Sequence, residues 1–268
     1  MTATLRHQFF LYLASALLMA SAVTLVALQA KPEGWFVLIA GALSLLGTTQ
    51  SVRKHFILVF ASLGILGLIP IDTNIGVGHI LGMGAALMAA VGLPLLITRK
   101  VYGENIIRFP WTHGRKWYKR EIAYILITAV IAYLILPFYF QNTGAYLNWP
   151  NATSAWDISK LFVGTNGLGI WDELFFVATC LALLRRHLPF NVANIVQATL
   201  FTSFLYELGF TGWAPFLIYP FALIQGYIFK KTESLLYIIT IHLTLDFILF
   251  LALLHAHNPT WIPIFITG

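Results

Sequence analysis

Long apolar runs dominate this sequence and constrain its fold more than any other feature. A helix needs roughly 20 mostly apolar residues to cross a lipid bilayer, and the backbone of such a segment must satisfy its own hydrogen bonds, which favours helices. Runs of suitable length occur at 8–29, 34–51, 55–71, 76–98, 121–140, 160–184, 190–210, 213–229 and 234–256. The sequence therefore predicts an all-α, polytopic transmembrane helix bundle with about nine spans.

Composition supports a membrane protein. Hydrophobic residues make up 59% of the chain and charged residues only 10%, which is unlike a soluble domain. The formal net charge is +6, but the basic residues lie in short clusters between the apolar runs, as topology signals and headgroup contacts do. We therefore expect an integral membrane protein, with membrane lipids and no nucleic acid among its partners. The bacterial inner membrane is the expected location, although composition does not identify the organism.

The positions of the basic clusters predict the orientation of the chain. Each cluster follows an even-numbered span: Arg53–Lys54, the loop 99–120, Arg185–Arg186 and Lys230–Lys231. Because cytoplasmic loops carry the excess of lysine and arginine, the N-terminus is predicted to be cytoplasmic and the C-terminus external.

Ionisable residues divide the chain into two predicted regions. The region 1–120 contains four apolar spans and ends in a basic cytoplasmic loop, whereas 121–268 forms a C-terminal bundle with several ionisable residues inside its spans. The loop 99–120 mixes basic and aromatic residues, which is typical of an interfacial segment. A surface for anionic lipids or a partner protein is the alternative interpretation.

Five ionisable side chains stand out within the later spans: Asp172, Glu173, Glu207, His242 and Asp246. Each costs at least about 2.5–3.5 kcal/mol near the bilayer centre, so each needs a partner or a role. Counted from the basic ends of their helices, Glu173 and His242 both lie roughly 16–18 Å above the cytoplasmic boundary. Glu207 is expected closer to the external end.

His242 and Asp246 are four residues apart, which places them on one face of a helix. Asp246 can fix the tautomer of the imidazole, or both side chains can bind one metal ion. The alternative is that the pair only forms polar contacts between helices.

Asp172 and Glu173 are adjacent, so they should point about 100° apart and should not face the same spot. We expect one to act and the other to support it. The segment TNGLG at 165–169 predicts a helix break just before them, which would place both carboxylates near a helix N-terminus. The alternative is that they only stabilise this helix start.

The order of these motifs resembles the CAAX-protease and bacteriocin-processing (CPBP, or Abi) family of intramembrane proteases, which carries EExxxR, FxxxH and HxxxN or HxxxD. The resemblance covers 158–250. Asp172–Glu173 stands for the acidic pair, with Val177 in the place of the arginine, and Tyr206 and Phe210 stand for the second block. The last block is matched by Gly226, Thr232, Ser234, Leu235, His242 and Asp246.

The resemblance implies that the first acidic residue activates water and that histidine binds or stabilises the oxyanion. Since Phe210 replaces the second histidine, Glu207 is a candidate substitute. The set Glu173, Glu207, His242 and Asp246 would also suit a divalent metal ion, which takes oxygen and nitrogen ligands.

Two functions are therefore predicted. The first is a divergent CPBP-type intramembrane endopeptidase that acts on a membrane-anchored peptide or protein, with catalytic residues Asp172, Glu173, His242 and Asp246. In it one carboxylate of the acidic pair is the general base, His242 stabilises the oxyanion and Asp246 orients His242. The second is a non-catalytic CPBP-fold scaffold, assembly factor or subunit of a larger membrane complex. A proton path or transporter is a third option, but the paired broken helices of transporter repeats are lacking.

Overall fold

The computed structural model describes residues 3–111 and 116–266, and every regular element in these ranges is helical. The all-α prediction is thus confirmed for that part of the chain. Residues 112–115 of the predicted interfacial loop lie outside the described residues. The α-helices are α1 (Ala3–Ser21), α2 (Lys31–Ser44), α3 (Gln50–Gly67), α4 (Val77–Leu96), α5 (Lys119–Thr143), α6 (Ala155–Asp172), α7 (Ala182–Leu184), α8 (Phe190–Glu207), α9 (Pro215–Thr232) and α10 (Leu235–His257).

Three segments widen into π-helix, and each continues an α-helix without a turn. The segment Ala22–Ala27 extends α1, Ile97–Val101 extends α4, and Glu173–Leu181 joins α6 to α7. As a result, residues Ala155–Leu184 form one continuous helical rod of 30 residues. The π-helical part of this rod begins at Glu173, one of the predicted site residues.

Five helical segments of the described chain are long and apolar enough to cross a membrane: Leu5–Ala27, Val77–Val101, Lys119–Thr143, Ala155–Leu184 and Leu235–His257. They correspond to five of the predicted spans and indicate an integral membrane protein. The other four predicted spans fall on α2, α3, α8 and α9, which have 14 or 18 residues each. The count of nine spans and the orientation of the termini stay predictions.

The boundary between the second and third predicted spans is displaced. The predicted span 34–51 is not one helix, because α2 ends at Ser44, a short 3-10 turn covers Leu45–Gly47 and α3 begins at Gln50. Thr49 caps α3, since its side chain accepts a hydrogen bond from the backbone N–H of Val52 at 3.5 Å. A side-chain cap of this kind satisfies one of the free N–H groups at a helix start.

The predicted helix break at 165–169 is wrong. The helix begins earlier, at Ala155, where the Ser154 hydroxyl accepts a hydrogen bond from the backbone N–H of Asp157 at 3.1 Å. It then runs through the glycines to Asp172, so the acidic pair lies inside a rod and not at a helix start. Gly169 instead permits close packing: a Cβ atom there would lie 1.8 Å from Oδ2 of Asp246 on α10.

Helix α10 lies at the centre of the C-terminal part. It packs along α5 and α6 and also contacts α9 and the π-helical segment Glu173–Leu181. Helix α8 packs against α9, the same π-helical segment and the π-helical end of the first rod, Ala22–Ala27. Buried aromatic rings, among them Phe175, Phe176, Phe201 and Phe204, fill the space between these helices.

Candidate active site

The imidazole of His242 is the centre of the candidate site. It projects from α10, is 4% exposed, and has carboxyl groups next to both of its nitrogen atoms. Nδ1 lies 2.8 Å from Oε1 of Glu173, whereas Nε2 lies 3.7 Å from Oδ2 of Asp172 and 3.8 Å from Oδ1 of Asp246. The structure thus brings all four predicted catalytic residues together.

Asp172 and Glu173 reach the same imidazole, so the expectation that only one of them could face the site is wrong. The α-helix gives way to π-helix at Glu173, and the wider turn changes the angle between successive side chains. An imidazole also presents its two nitrogens on different edges, which lets neighbouring carboxylates contact it from two sides. Local π-helix inside an α-helix is frequent at functional sites.

The predicted partnership of His242 with Asp246 is looser than that with Glu173. The separation of 3.8 Å between Nε2 and Oδ1 of Asp246 exceeds hydrogen-bond length, whereas the 2.8 Å contact with Glu173 is a good hydrogen bond. Glu173 therefore orients the ring. Asp246 lies with Asp172 on the Nε2 side.

A buried amide outside the sequence motifs, that of Gln225, supports Glu173. Nε2 of Gln225 donates hydrogen bonds to Oε1 of Glu173 at 2.9 Å and to the carbonyl oxygen of Ile238 at 3.2 Å. Gln225 is 1% exposed. A glutamine in an apolar helix needs a buried partner, and that cost is the sequence signal that could have identified it.

Two further amides support the helix that carries Gln225. Nε2 of Gln197 donates to Oδ1 of Asn194 and to the carbonyl oxygen of Ala222, both at 2.9 Å. Gly226 makes room for this pair, because a Cβ atom there would lie 2.0 Å from Oδ1 of Asn194. The glycine of the last motif thus allows α8 and α9 to pack closely behind the site.

An apolar cavity of about 310 Å³ lies beside His242, between α5, α9 and α10. His242 and Asp246 line it together with apolar side chains such as Leu205, Leu245 and Leu249. The cavity therefore brings a carboxylate and an imidazole to a mostly hydrophobic space, which is the usual character of a small-ligand pocket.

The predicted placement of the second motif block on Tyr206 and Phe210 stays a prediction. The aromatic ring of α8 next to His242 is that of Phe201, with 5.8 Å between ring centroids. Leu205, four residues further on, lines the cavity. Of the predicted counterparts Tyr206 and Phe210, Phe210 also lines the cavity.

The structure does not bring Glu207 to this cluster. Its carboxyl group interacts with Gln29, Lys31 and Asp72, at the end of α8. Among the described residues, no group of three or more His, Cys, Asp or Glu side chains is arranged to hold a metal ion. The divalent metal stays a prediction.

The fold and the site together define a class: a helical membrane protein with a carboxylate and histidine centre inside its apolar helices. Residues 154–248 match the family model described as "Type II CAAX prenyl endopeptidase Rce1-like". The match includes His242 and the three carboxyl residues around it, Asp172, Glu173 and Asp246, and confirms the resemblance to the CPBP family. No curated protein and no solved structure matches the chain.

Proposed function

We propose that this protein is an intramembrane endopeptidase of the CAAX-protease type, located in the bacterial inner membrane. The observation that carries the proposal is the convergence of Asp172, Glu173 and Asp246 on the two ring nitrogens of His242. Residues kept only for helix packing would satisfy themselves through neighbouring helices. Three carboxyl groups around one imidazole are costly inside apolar helices, which favours a chemical role.

Glu173 and Gln225 have a positioning role in this proposal. Glu173 accepts a hydrogen bond from Nδ1–H of His242 and fixes the ring, as the carboxylate of a catalytic triad does. Gln225 holds the same oxygen of Glu173. The Nε2 edge of the ring is then directed towards Asp172 and Asp246. Their oxygens lie 3.7 and 3.8 Å from Nε2, beyond direct hydrogen-bond length, so they are available to bind a water molecule beside the ring.

The proposed reaction is hydrolysis of a peptide bond by that water. The water oxygen attacks the carbonyl carbon while Oδ2 of Asp172 accepts a proton from the water. His242, doubly protonated, donates from Nε2–H to the carbonyl oxygen and stabilises the oxyanion. The carbon–nitrogen bond then breaks, and Asp172 passes its proton to the leaving amine. Asp246 lies beside the water and holds it in place.

The apolar cavity suits a hydrophobic part of the substrate. Its walls are mostly aliphatic and aromatic, and it reaches His242 directly. The family description names a prenyl endopeptidase, so a membrane-anchored, prenylated CAAX peptide is the first substrate to test.

The test uses full-length protein in liposomes and a quenched fluorescent, farnesylated CAAX peptide. We expect cleavage by the wild type and a loss on the order of 10²-fold or more in Asp172→Asn and His242→Asn, the usual effect of removing a catalytic acid or base. Asp157→Asn is the matched control, since Asp157 lies on α6 but pairs with Lys160 and Ser154. Wild-type rates in the two site variants would contradict the proposal.

A non-catalytic scaffold is the second candidate. It is favoured by Phe210, which lines the cavity and stands in the place of the histidine of the family pattern. In that case the wild type cleaves no peptide, and His242→Asn lowers only the melting temperature. A divalent metal is tested separately: stoichiometric metal in the wild type, lost in His242→Ala and Glu173→Gln, would establish the predicted site.

A further inference from the structure

A second cavity, of about 530 Å³, is rich in arginine and shares no lining residue with the cavity beside His242. It is lined by Arg108, Arg185 and Arg186, together with Glu104 and Asn105. Arg185 directly follows the apolar rod that ends at Leu184, and Glu104 lies three residues beyond the apolar segment that ends at Val101. The cavity therefore lies where two candidate spans leave the apolar layer.

The single carboxylate of this cavity is already engaged. One oxygen of Glu104 forms an ion pair with Nζ of Lys54, and the other lies 2.7 Å from Nε2 of His55. The contacts with Lys54 and His55 lower the pKa of Glu104, so it stays ionised near neutral pH.

The three arginines have no such partner. Within the part of the chain that the structure describes, no carboxylate lies at ion-pair distance from any of them. Arg185 packs over the ring of Phe190, and Arg108 uses its Nε to donate to the carbonyl oxygen of Asn105 at 3.0 Å. The cavity thus has more positive than negative charge, and its positive groups are guanidiniums, which are planar hydrogen-bond donors.

We propose that this cavity binds the phosphate group of an anionic ligand, such as the headgroup of an anionic phospholipid. Guanidinium groups match the geometry of phosphate oxygens and bind them in pairs of charge-assisted hydrogen bonds. The positive-inside bias accounts for basic residues at this end of the spans, but it does not require three arginines to share one cavity. The apolar residues Ile106 and Ala182 in the wall suit the part of a lipid next to its phosphate.

Binding here would connect two regions of the chain. Arg108 belongs to the loop after the fourth helix, whereas Arg185 and Arg186 follow α7 of the CPBP-like part. A phosphate held by both sides clamps them together. Because a ligand that binds only the folded state stabilises it, the melting temperature should rise with ligand concentration.

The experiment measures the melting temperature of the full-length protein in detergent micelles. Dioleoyl phosphatidylglycerol should raise it, whereas the zwitterionic dioleoyl phosphatidylcholine should not. In the double variant Arg185→Gln/Arg186→Gln we expect the apparent affinity for phosphatidylglycerol to fall roughly 10-fold to 30-fold, the loss expected for two basic residues at an anionic headgroup. The control Lys119→Gln/Arg120→Gln removes the same charge at the start of α5 and should keep the wild-type affinity.

Inorganic phosphate at matched ionic strength separates the two sources of the ligand. If only phosphatidylglycerol raises the melting temperature, the site binds a lipid headgroup. If inorganic phosphate raises the melting temperature equally, and this rise depends on the arginines, the site binds a soluble phosphate compound. The proposal would be overturned if both double variants lost the same affinity for phosphatidylglycerol, or if Arg185→Gln/Arg186→Gln kept the wild-type affinity. If that double variant does not fold, Arg108→Gln serves instead, since Arg108 is exposed and lies in a loop.

Discussion

Oε1 of Glu173 lies 2.8 Å from Nδ1 of His242, although 69 residues separate them in the chain. This contact joins the rod of α6 and α7 to α10 and uses one of the two ring nitrogens. Asp172 and Asp246 both lie on the other side, next to Nε2. The acidic residues of the site therefore have different positions relative to one ring, and variants should separate their roles.

Substituting Gly169 on α6 by alanine should displace the site residues His242 and Asp246 on α10. The new Cβ atom would lie 1.8 Å from Oδ2 of Asp246 and 3.1 Å from Cδ2 of His242. Overpacking of this kind costs about 1–3 kcal/mol, and it would displace Asp246. We expect Gly169→Ala to lower both the melting temperature and the rate of peptide cleavage.

The neighbouring glycine on α6 provides the control. A Cβ atom at Gly167 would have nothing within 4 Å, and alanine is favoured over glycine in a helix by up to about 1 kcal/mol. Gly167→Ala should therefore melt at the wild-type temperature or slightly above it. Equal melting temperatures and rates for both variants would show that α6 and α10 do not approach each other at Gly169.

Substituting Gln225 by methionine should reduce kcat and leave KM near the wild-type value. Methionine has a similar size but cannot donate to Glu173, so Glu173 would hold His242 less well. Steady-state kinetics with the farnesylated peptide measures both constants. Gln50→Met, at the exposed start of α3, is the control. A rise in KM without a fall in kcat would assign Gln225 to substrate binding instead.

Filling the apolar cavity beside His242 should block the substrate. Leu245 lines this cavity and is only partly buried, so Leu245→Trp can extend into the 310 Å³ space. We expect a higher KM with a small change in melting temperature. Phe247→Trp, at an exposed position two residues further on, should cleave at the wild-type rate. Unchanged kinetics in Leu245→Trp would place the substrate elsewhere.

Acid should weaken the contact between His187 and the N-terminal helices. Nε2 of His187 lies 2.7 Å from Nδ1 of His55. Burial, followed by the charges of His55, Arg186 and His7, lowers the pKa of His187 from 6.5 to about 4. The unfolded chain therefore binds a proton in this interval that the folded chain does not, so stability falls as the pH decreases from 6.5 towards 4.

Melting temperatures between pH 7 and pH 4 measure this effect. In His187→Gln the dependence on pH should be weaker, because the group that titrates is gone. Glu104 acts in the same direction but at lower pH: its pKa is lowered from 4.5, so the stability that it contributes is lost only as the pH falls below that value. If the melting temperatures of the wild type and His187→Gln depend on pH in the same way, His187 is not the group that causes the loss of stability in acid.

Local properties of the sequence were enough to predict the long helices and the ionisable side chains that the structure brings together. The apolar runs predicted the five longest helices to within a few residues, because the length that spans a bilayer and the cost of polar groups inside it are properties of one segment. The same cost identified Asp172, Glu173, His242 and Asp246, and the spacing of four residues placed His242 and Asp246 on one face.

Only the packing of the helices decided how these residues are used. Glu173 and not Asp246 forms the close contact with His242, Gln225 supports it from α9, and Glu207 lies among residues of the N-terminal region. Gly169, which looked like a helix breaker, is a point of contact with α10. The helical period determines which side chains share a face of one helix. Which face of a second helix comes within hydrogen-bond distance depends instead on how closely the two helices pack. It also depends on where the α-helix turns into π-helix.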